Sequence, residues 1–354
     1  MSRAPRRALA LSLALASPLM STASARAQDT KQEFAPKQID APQAAPAAAR
    51  DAGPAGPRIN STDMMRREKE AKIARQDKAV EQKLIRMIKT KPDTDPQKPL
   101  ILDRLATFYW QMAGDTQDNA YEEEDRCYTA SAKTDDDLKR CEGLRKGIEQ
   151  QAEESRAKAI EVYKHIVQTF PNFEEIDRIL FALAFNYQQK QQNEDAKTIY
   201  TEIIQNFQQS PVLPDALFNM ADIYFGAGDV ESAAALYTHV MQNFPKSSVY
   251  VYAIYKLGWC AYNQSNFQGA LESFVKVIDL QNALSASEKK RNRLSLKNEA
   301  QRDLIRVYVN IDEATAAGGV ALIKKYAGDR YNELAEQLAD LYSGTGQFDK
   351  SNHI

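Results

Sequence analysis

Ala159, Ala196, Ala233 and Ala270 stand 37 residues apart, and this interval constrains the fold more than any other feature of the chain. Four positions after each alanine comes a ring: Tyr163, Tyr200, Tyr237 and Phe274. Three positions further on lie Ile166, Ile203, Val240 and Val277. A closing aromatic recurs at Phe170, Phe207 and Phe244, with Pro171 and Pro245 behind the first and third. Offsets of i, i+4, i+7 and i+11 lie on one face of an α-helix, so the columns read as the buried stripe of a repeated helix. Alanine lets a neighbouring helix approach, the ring fills the space beyond it, and proline ends the helix. Core packing therefore accounts for these residues, and no chemistry is assigned to them.

A second helix precedes the first in each unit. Leu180, Leu183, Ala184 and Tyr187 are matched by Leu217, Met220, Ala221 and Tyr224, and then by Ile254, Leu257, Gly258 and Ala261. Turn residues join the two helices at Gly226 to Asp229 and at Asn263 to Asn266. This pattern resembles the tetratricopeptide family, whose signature is W-x2-L-G-x2-Y, then A-x3-F, then P. Smaller apolar residues replace its first tryptophan, alanine replaces glycine in two units, and 37 residues replace the usual 34. The resemblance covers residues 99–280 closely and 287–354 loosely. It implies an all-α solenoid of antiparallel helix pairs.

Irregular stretches flank the array. Leu102, Leu105, Ala106 and Tyr109 repeat the first-helix pattern, but Leu102 lies 57 residues before Ala159 where later units allow 16. An insertion at about 114–154 accounts for the excess, and it holds Cys127 and Cys141 among acidic runs. Two cysteines in one polar excursion suggest a disulfide pinning a loop. Cys260 falls inside a helix and reads as a buried thiol. Upstream, residues 61–92 read as a basic helix with a thin apolar stripe at Ile73, Val80, Leu84 and Ile88, either a solvated cap or a docking helix. Residues 281–354 read as further irregular helical repeats. Ser285 and Glu288 have capping-box spacing ahead of a helix through Tyr308, and a first helix recurs at Glu333 to Tyr342. Its partner would begin where the chain stops, so the last repeat is expected to be covered by something else or continued in a longer protein.

The N-terminus speaks to compartment. Arg3, Arg6 and Arg7 precede an apolar stretch from Ala8 to Met20 and the small-residue run ending at Ala25, Arg26 and Ala27. These are the parts of a secretory signal peptide, residues 1–27, with cleavage expected after Ala27. The stretch is shorter than the about 20 residues a membrane-spanning helix needs, and no cysteine near the cut offers a lipid anchor. A periplasmic protein is the expectation. Residues 28–60, rich in alanine, proline and glutamine, read as a disordered linker. The chain has 46 Lys+Arg against 48 Asp+Glu, and a balance without a basic excess argues against nucleic acid as a partner.

Motifs for catalysis, metal or cofactor are wanting. His165, His239 and His353 form no ligand pair, and neither a phosphate-cradling glycine loop nor a nucleophile elbow occurs. We expect a non-catalytic protein with no cofactor and no metal. Aromatics outside the packing columns are the remaining signal. Phe181, Phe218 and Tyr255 share one repeat position, with Phe185 and Trp259, Phe225 and Tyr262, and Tyr252 near them in projection. In the tetratricopeptide family these first-helix positions line a concave groove that receives peptides. The resemblance carries Arg178, Gln188, Asp215, Asn219, Asp222 and Asn263 into the same candidate groove. The alternative places the rings in the core.

Phrases such as Tyr252 to Tyr262 are similar to those of exported tetratricopeptide proteins of myxobacterial type, some belonging to a gliding-motility envelope complex. The repeats also resemble in style the Tol-Pal coordinator and the outer-membrane assembly proteins. The resemblance implies a scaffold or adaptor for proteins or peptides of the cell envelope. A regulator that binds cell-wall enzymes or peptidoglycan is the other reading.

Overall fold

In the computed structural model, residues 61–131, 134–284 and 296–354 are described. The expected signal peptide and linker, together with Ser285 and Glu288, lie outside them. Three helix pairs carry the 37-residue repeat: α4 (Ile176–Gln189) with α5 (Asn193–Asn206), α6 (Leu213–Gly226) with α7 (Val230–Asn243), and α8 (Tyr250–Asn263) with α9 (Phe267–Ala283). Before them stand α1 (Ser61–Thr90), α2 (Lys98–Ser131) and α3 (Asp135–Thr169). After them come α10 (Lys297–Tyr308), α11 (Ala316–Tyr326), α12 (Tyr331–Gly344) and the single turn α13 (Phe348–Ser351). The described residues form an all-α solenoid.

The repeat columns are its core. Ala196, Ala233, Ala270, Tyr200, Tyr237 and Phe274 are wholly buried. Buried residues run as a strip from α2 to α12 instead of collecting at one centre. Each pair thus covers its neighbour's apolar side, as a one-dimensional array requires. Gly258 occurs where the other units have Ala184 and Ala221, and a methyl there would lie 2.8 Å from the Phe274 ring.

The turns inside the pairs repeat as faithfully. Gln191, Gly228 and Ser265 all take a left-handed backbone, with φ of 60°, 82° and 59°. The following amide closes the turn onto the carbonyl five residues back: Gln192 onto Tyr187 at 2.9 Å, Asp229 onto Tyr224 at 3.0 Å, Asn266 onto Ala261 at 2.8 Å. These bonds satisfy the last carbonyls of the first helix. Asp229 and Asn266 then cap the second helix by accepting the amides of Ser232 and Gly269. A left-handed conformation costs a side-chain-bearing residue about 1–2 kcal/mol, and glycine's freedom in the unfolded chain returns about 0.4–1. Ser265→Gly is therefore expected to raise stability by about 0.5–1 kcal/mol. A lower melting temperature for the variant would contradict the turn assignment.

The insertion is no loop. Helices α2 and α3 run on past the 14 residues of an ordinary repeat helix, reaching 34 and 35 residues. The overhang is an antiparallel hairpin about 30 Å long. Small side chains set the close approach of α2 and α3 along their length: Ala106, Ala113 and Ala120, seven residues apart on α2, are fully buried, as are Cys141 and Ala152 on α3. Arg145 bonds Glu124 across the hairpin at 3.1 Å, and Gln117 donates to Glu149 at 3.1 Å. Near the tip, Cys127 and Cys141 stand at disulfide-bonding distance, their Cα atoms 5.5 Å apart.

Beyond α9 the expected long helix through Tyr308 is shorter: α10 begins at Lys297, and Leu296 before it is non-helical. Buried Gln301 on α10 donates to the carbonyls of Tyr326 and Ala327 at the end of α11. Against α12 pack Ile305 and Ile323 from the preceding pair, and Ile354 at the chain end.

Candidate functional site

The first helices α2, α4, α6, α8 and α10 carry the candidate residues. Helical geometry gives each of them two apolar directions: one toward its partner helix, and one beside it occupied by the extra aromatics. Phe181, Phe218 and Tyr255 sit on the second direction and are half-buried. Each leans on the buried ring of its own partner helix: Phe181 on Tyr200 at 6.0 Å, Phe218 on Tyr237 at 5.5 Å, Tyr255 on Phe274 at 5.4 Å. The three tilts are 51°, 57° and 57°. One contact thus recurs with the repeat. Each ring has an inner edge on the core and an outer edge still in reach of solvent, so neither of the two sequence readings describes it alone.

Further rings extend the strip in both directions. Phe185 stacks on Phe181 and meets the edge of Trp110 from α2 at 6.2 Å. Phe218 meets Tyr252 of the next repeat at 6.4 Å. Trp259 packs edge-on against Tyr262 at 5.5 Å and Phe274 at 5.8 Å. Phe225 is half-buried beneath the ammonium of Lys256, 5.3 Å from its centre. Arg306 of α10 lies over Trp259 at 5.9 Å.

Polar groups in the strip are already engaged. Tyr200 donates its hydroxyl to Gln188 at 2.9 Å, Tyr237 to Asp222, and Tyr255 to Asp303 at 2.6 Å. Asp222 also pairs with Lys256 at 2.9 Å, and Asp303 with Arg306 at 2.9 Å. Burial raises the carboxyl of Asp303 above its ordinary range, against the opposing pull of Tyr255 and Arg306. It raises Asp215 likewise. The amides of Asn219 and Asn263 donate to carbonyls of their own helices, Asp215 and Trp259, both at 2.8 Å. Their carbonyl oxygens are what they can offer an incoming N–H. Arg178 is exposed and paired with Glu175.

The structure brings the candidates of α4, α6 and α8 onto neighbouring helices, and it adds members that sequence reasoning missed. Trp110 follows Tyr109 as Phe225 follows Tyr224, so its slot was visible in the sequence. Asp303 and Arg306 belong to a helix whose spacing departs from 37, which no periodic column could reach. Cys260 takes no part: it is buried, and burial pushes its thiol up to about 11. His165 and His239 are exposed and rest near the closing aromatics Phe170 and Phe244. What the arrangement offers is a stepped row of ring edges with ion pairs between the steps, a surface for contact with no group poised for bond-making.

Three segments match the family described as tetratricopeptide repeat: residues 178–210, 215–247 and 252–280. They coincide with α4–α9, which are tetratricopeptide repeats, a type that binds protein partners. Among solved structures the chain is similar to BtubC (BKLC) from P. vanneervenii, at 15% identity and TM-score 0.38 over 71% of this chain and 87% of that one. It is similar to Cut9-Hcn1, the APC/C hetero-tetramer, at 14% identity and TM-score 0.37, over 83% of this chain and 53% of that one. It is also similar to the apo form of the quorum sensor NprR from B. thuringiensis, at 17% identity and TM-score 0.37, over 83% and 92%. No curated protein matches the sequence.

Proposed function

We propose that the chain is a non-catalytic adaptor of the periplasm, which holds extended segments of cell-envelope proteins against the first-helix surface of α4, α6 and α8. The observation that carries this reading is the recurring half-buried ring. Phe181, Phe218 and Tyr255 keep an outer edge available although each has a buried aromatic within 6.0 Å to lean on. A row of partly exposed rings spaced by one repeat gives a peptide regular apolar footholds, and aromatic side chains dominate the energetics of such contacts. The ion pairs Lys256–Asp222 and Arg306–Asp303 at the margins supply register more than affinity. Compartment enters from the leader sequence, residues 1–27.

A photo-crosslinking side chain at Tyr262, compared with one at exposed Lys276 on α9, tests the surface in living cells. Adducts with envelope proteins are expected from position 262 only. Trp259→Ala should weaken the captured partner's binding by about 2 kcal/mol or more. The mature N-terminus, read by mass spectrometry from a periplasmic fraction, should be Gln28. Equal adducts from both positions would remove the groove from the proposal, and a chain retained in the cytoplasm with its leader intact would remove the compartment.

A further inference from the structure

The tetratricopeptide repeats leave α1 unused, and its surface chemistry is unlike the rest of the molecule. Leu84, Ile85 and Ile88 pack into the first core, and Tyr109 of α2 donates its hydroxyl to Glu81 at 2.7 Å. That face is fixed toward α2. On a helix of 100° per residue, Met65, Lys72, Arg75, Lys83 and Arg86 fall within an arc of about 80° on the opposite face. All five are exposed. The ridge runs about 30 Å, with Lys69, Lys78 and Lys89, also exposed, along its flanks. One acid, Glu68, shares the arc. Among the described residues no carboxylate pairs with Lys72, Arg75, Lys83 or Arg86; the only bond of the four is that of Arg86 to the carbonyl of Gln82 in its own helix.

Several cations on other helices pair with a carboxylate three or four residues away, as Arg126, Arg145, Lys164 and Arg330 do. A straight row of like charges without counter-charges is complementary to an extended anionic partner. Two features select its kind. The cations are mostly lysines on flexible stems around no recess, which suits a diffuse planar charge better than a shaped ligand. Met65, 70% exposed, stands on the same line as Lys72 and Lys83, where it gives a hydrocarbon surface something to hold and a soluble polyanion nothing.

We propose that α1 is a peripheral docking helix for an anionic lipid surface, with the ridge from Met65 to Arg86 lying against the headgroups. Leu84, Ile85 and Ile88 are committed to the core, so the helix adsorbs without inserting, with Ile73 and Val80 exposed beside the ridge. No helix of the described residues is long and apolar enough to cross a membrane. Attraction to anionic headgroups accumulates with each lysine or arginine near the surface and fades with salt.

The test uses the protein as purified from its cells, its N-terminus read by mass spectrometry. It is sedimented with vesicles of phosphatidylcholine alone and with vesicles in which roughly a third of the lipid is phosphatidylglycerol. Selective binding to the second is expected, falling steeply as salt shortens the Debye length from about 10 to about 3 Å. Replacing Lys72, Arg75, Lys83 and Arg86 together by glutamine should lower the partition about a hundredfold or more. The helical circular dichroism should not change, because the packed face is untouched. Met65→Ser should lower the partition a further few-fold. Equal binding to both vesicle types overturns the proposal, as does an undiminished partition of the four-site variant. Tight capture by soluble polyphosphate with none by anionic vesicles overturns it in favour of a polymeric ligand.

Discussion

Replacing Tyr237 by alanine is expected to cost about 3–5 kcal/mol, the range for deleting a large buried ring. The side chain is wholly buried between α6 and α7. Three things depend on it: the packing of Ala233 and Val240 on the same helix stripe, the inner support of Phe218, and the hydroxyl bond to Asp222. Burial and the Asp222 charge hold the phenol far above its ordinary range, so it stays a donor at any working pH. Tyr237→Phe separates the parts. The same column holds Phe274 one repeat later, so the ring alone fits, and losing the hydroxyl should cost about 1 kcal/mol. Asp222 keeps Lys256 as a partner. Urea titrations followed by helical circular dichroism measure both variants. In a one-dimensional array the alanine variant should also split the transition, because α6–α7 is the link between its two flanks. An alanine variant within about 1 kcal/mol of the parent would show that the columns are not what holds the repeats together.

That experiment bears on why some of this protein could be read from its sequence and some could not. The columns were legible because Ala196, Tyr200 and Ile203 solve a packing problem that recurs unchanged 37 residues later. Where the geometry recurs without the residue, the signal fades. Gln191 and Ser265 adopt the left-handed turn that Gly228 advertises, yet neither residue type announces it. The hairpin was misread for a related reason. Its interface uses alanine at 106, 113 and 120, a small apolar signal, and the acidic run Glu122 to Asp125 that follows looks like a polar excursion although Glu124 bonds across the hairpin. The candidate site was half legible. Its rings sit on repeat positions, but the partners that fix them, Asp303 and Arg306, come from a helix outside the period. What no column of residues could say is that Phe181, Phe218 and Tyr255 are shared between core and surface, since that depends on how far apart neighbouring pairs stand.

The hairpin itself gives the second large effect. A link between Cys127 and Cys141, 14 residues apart, closes a loop whose entropy in the unfolded chain corresponds to about 3 kcal/mol. Alanine contacts bury little area, and the overhang runs past the repeat helices, so this link is a large share of what orders the tip. Replacing both cysteines by serine is expected to release about that amount locally. Cys141 is fully buried, and its serine would put a hydroxyl into the seam, able to donate to its own helix as Ser155 does to Gln151. Hydrogen exchange should therefore accelerate in the turns beyond Glu124 and Arg145, while α4–α9 keep their protection, because the outer part of the hairpin lies outside the core clusters of the array. Arg145–Glu124 and Gln117–Glu149 lie nearer the array and should limit the opening to the outer turns. Uniform acceleration through α9 would mean that the hairpin nucleates the array. Unchanged exchange at the tip would mean that the seam alone orders it.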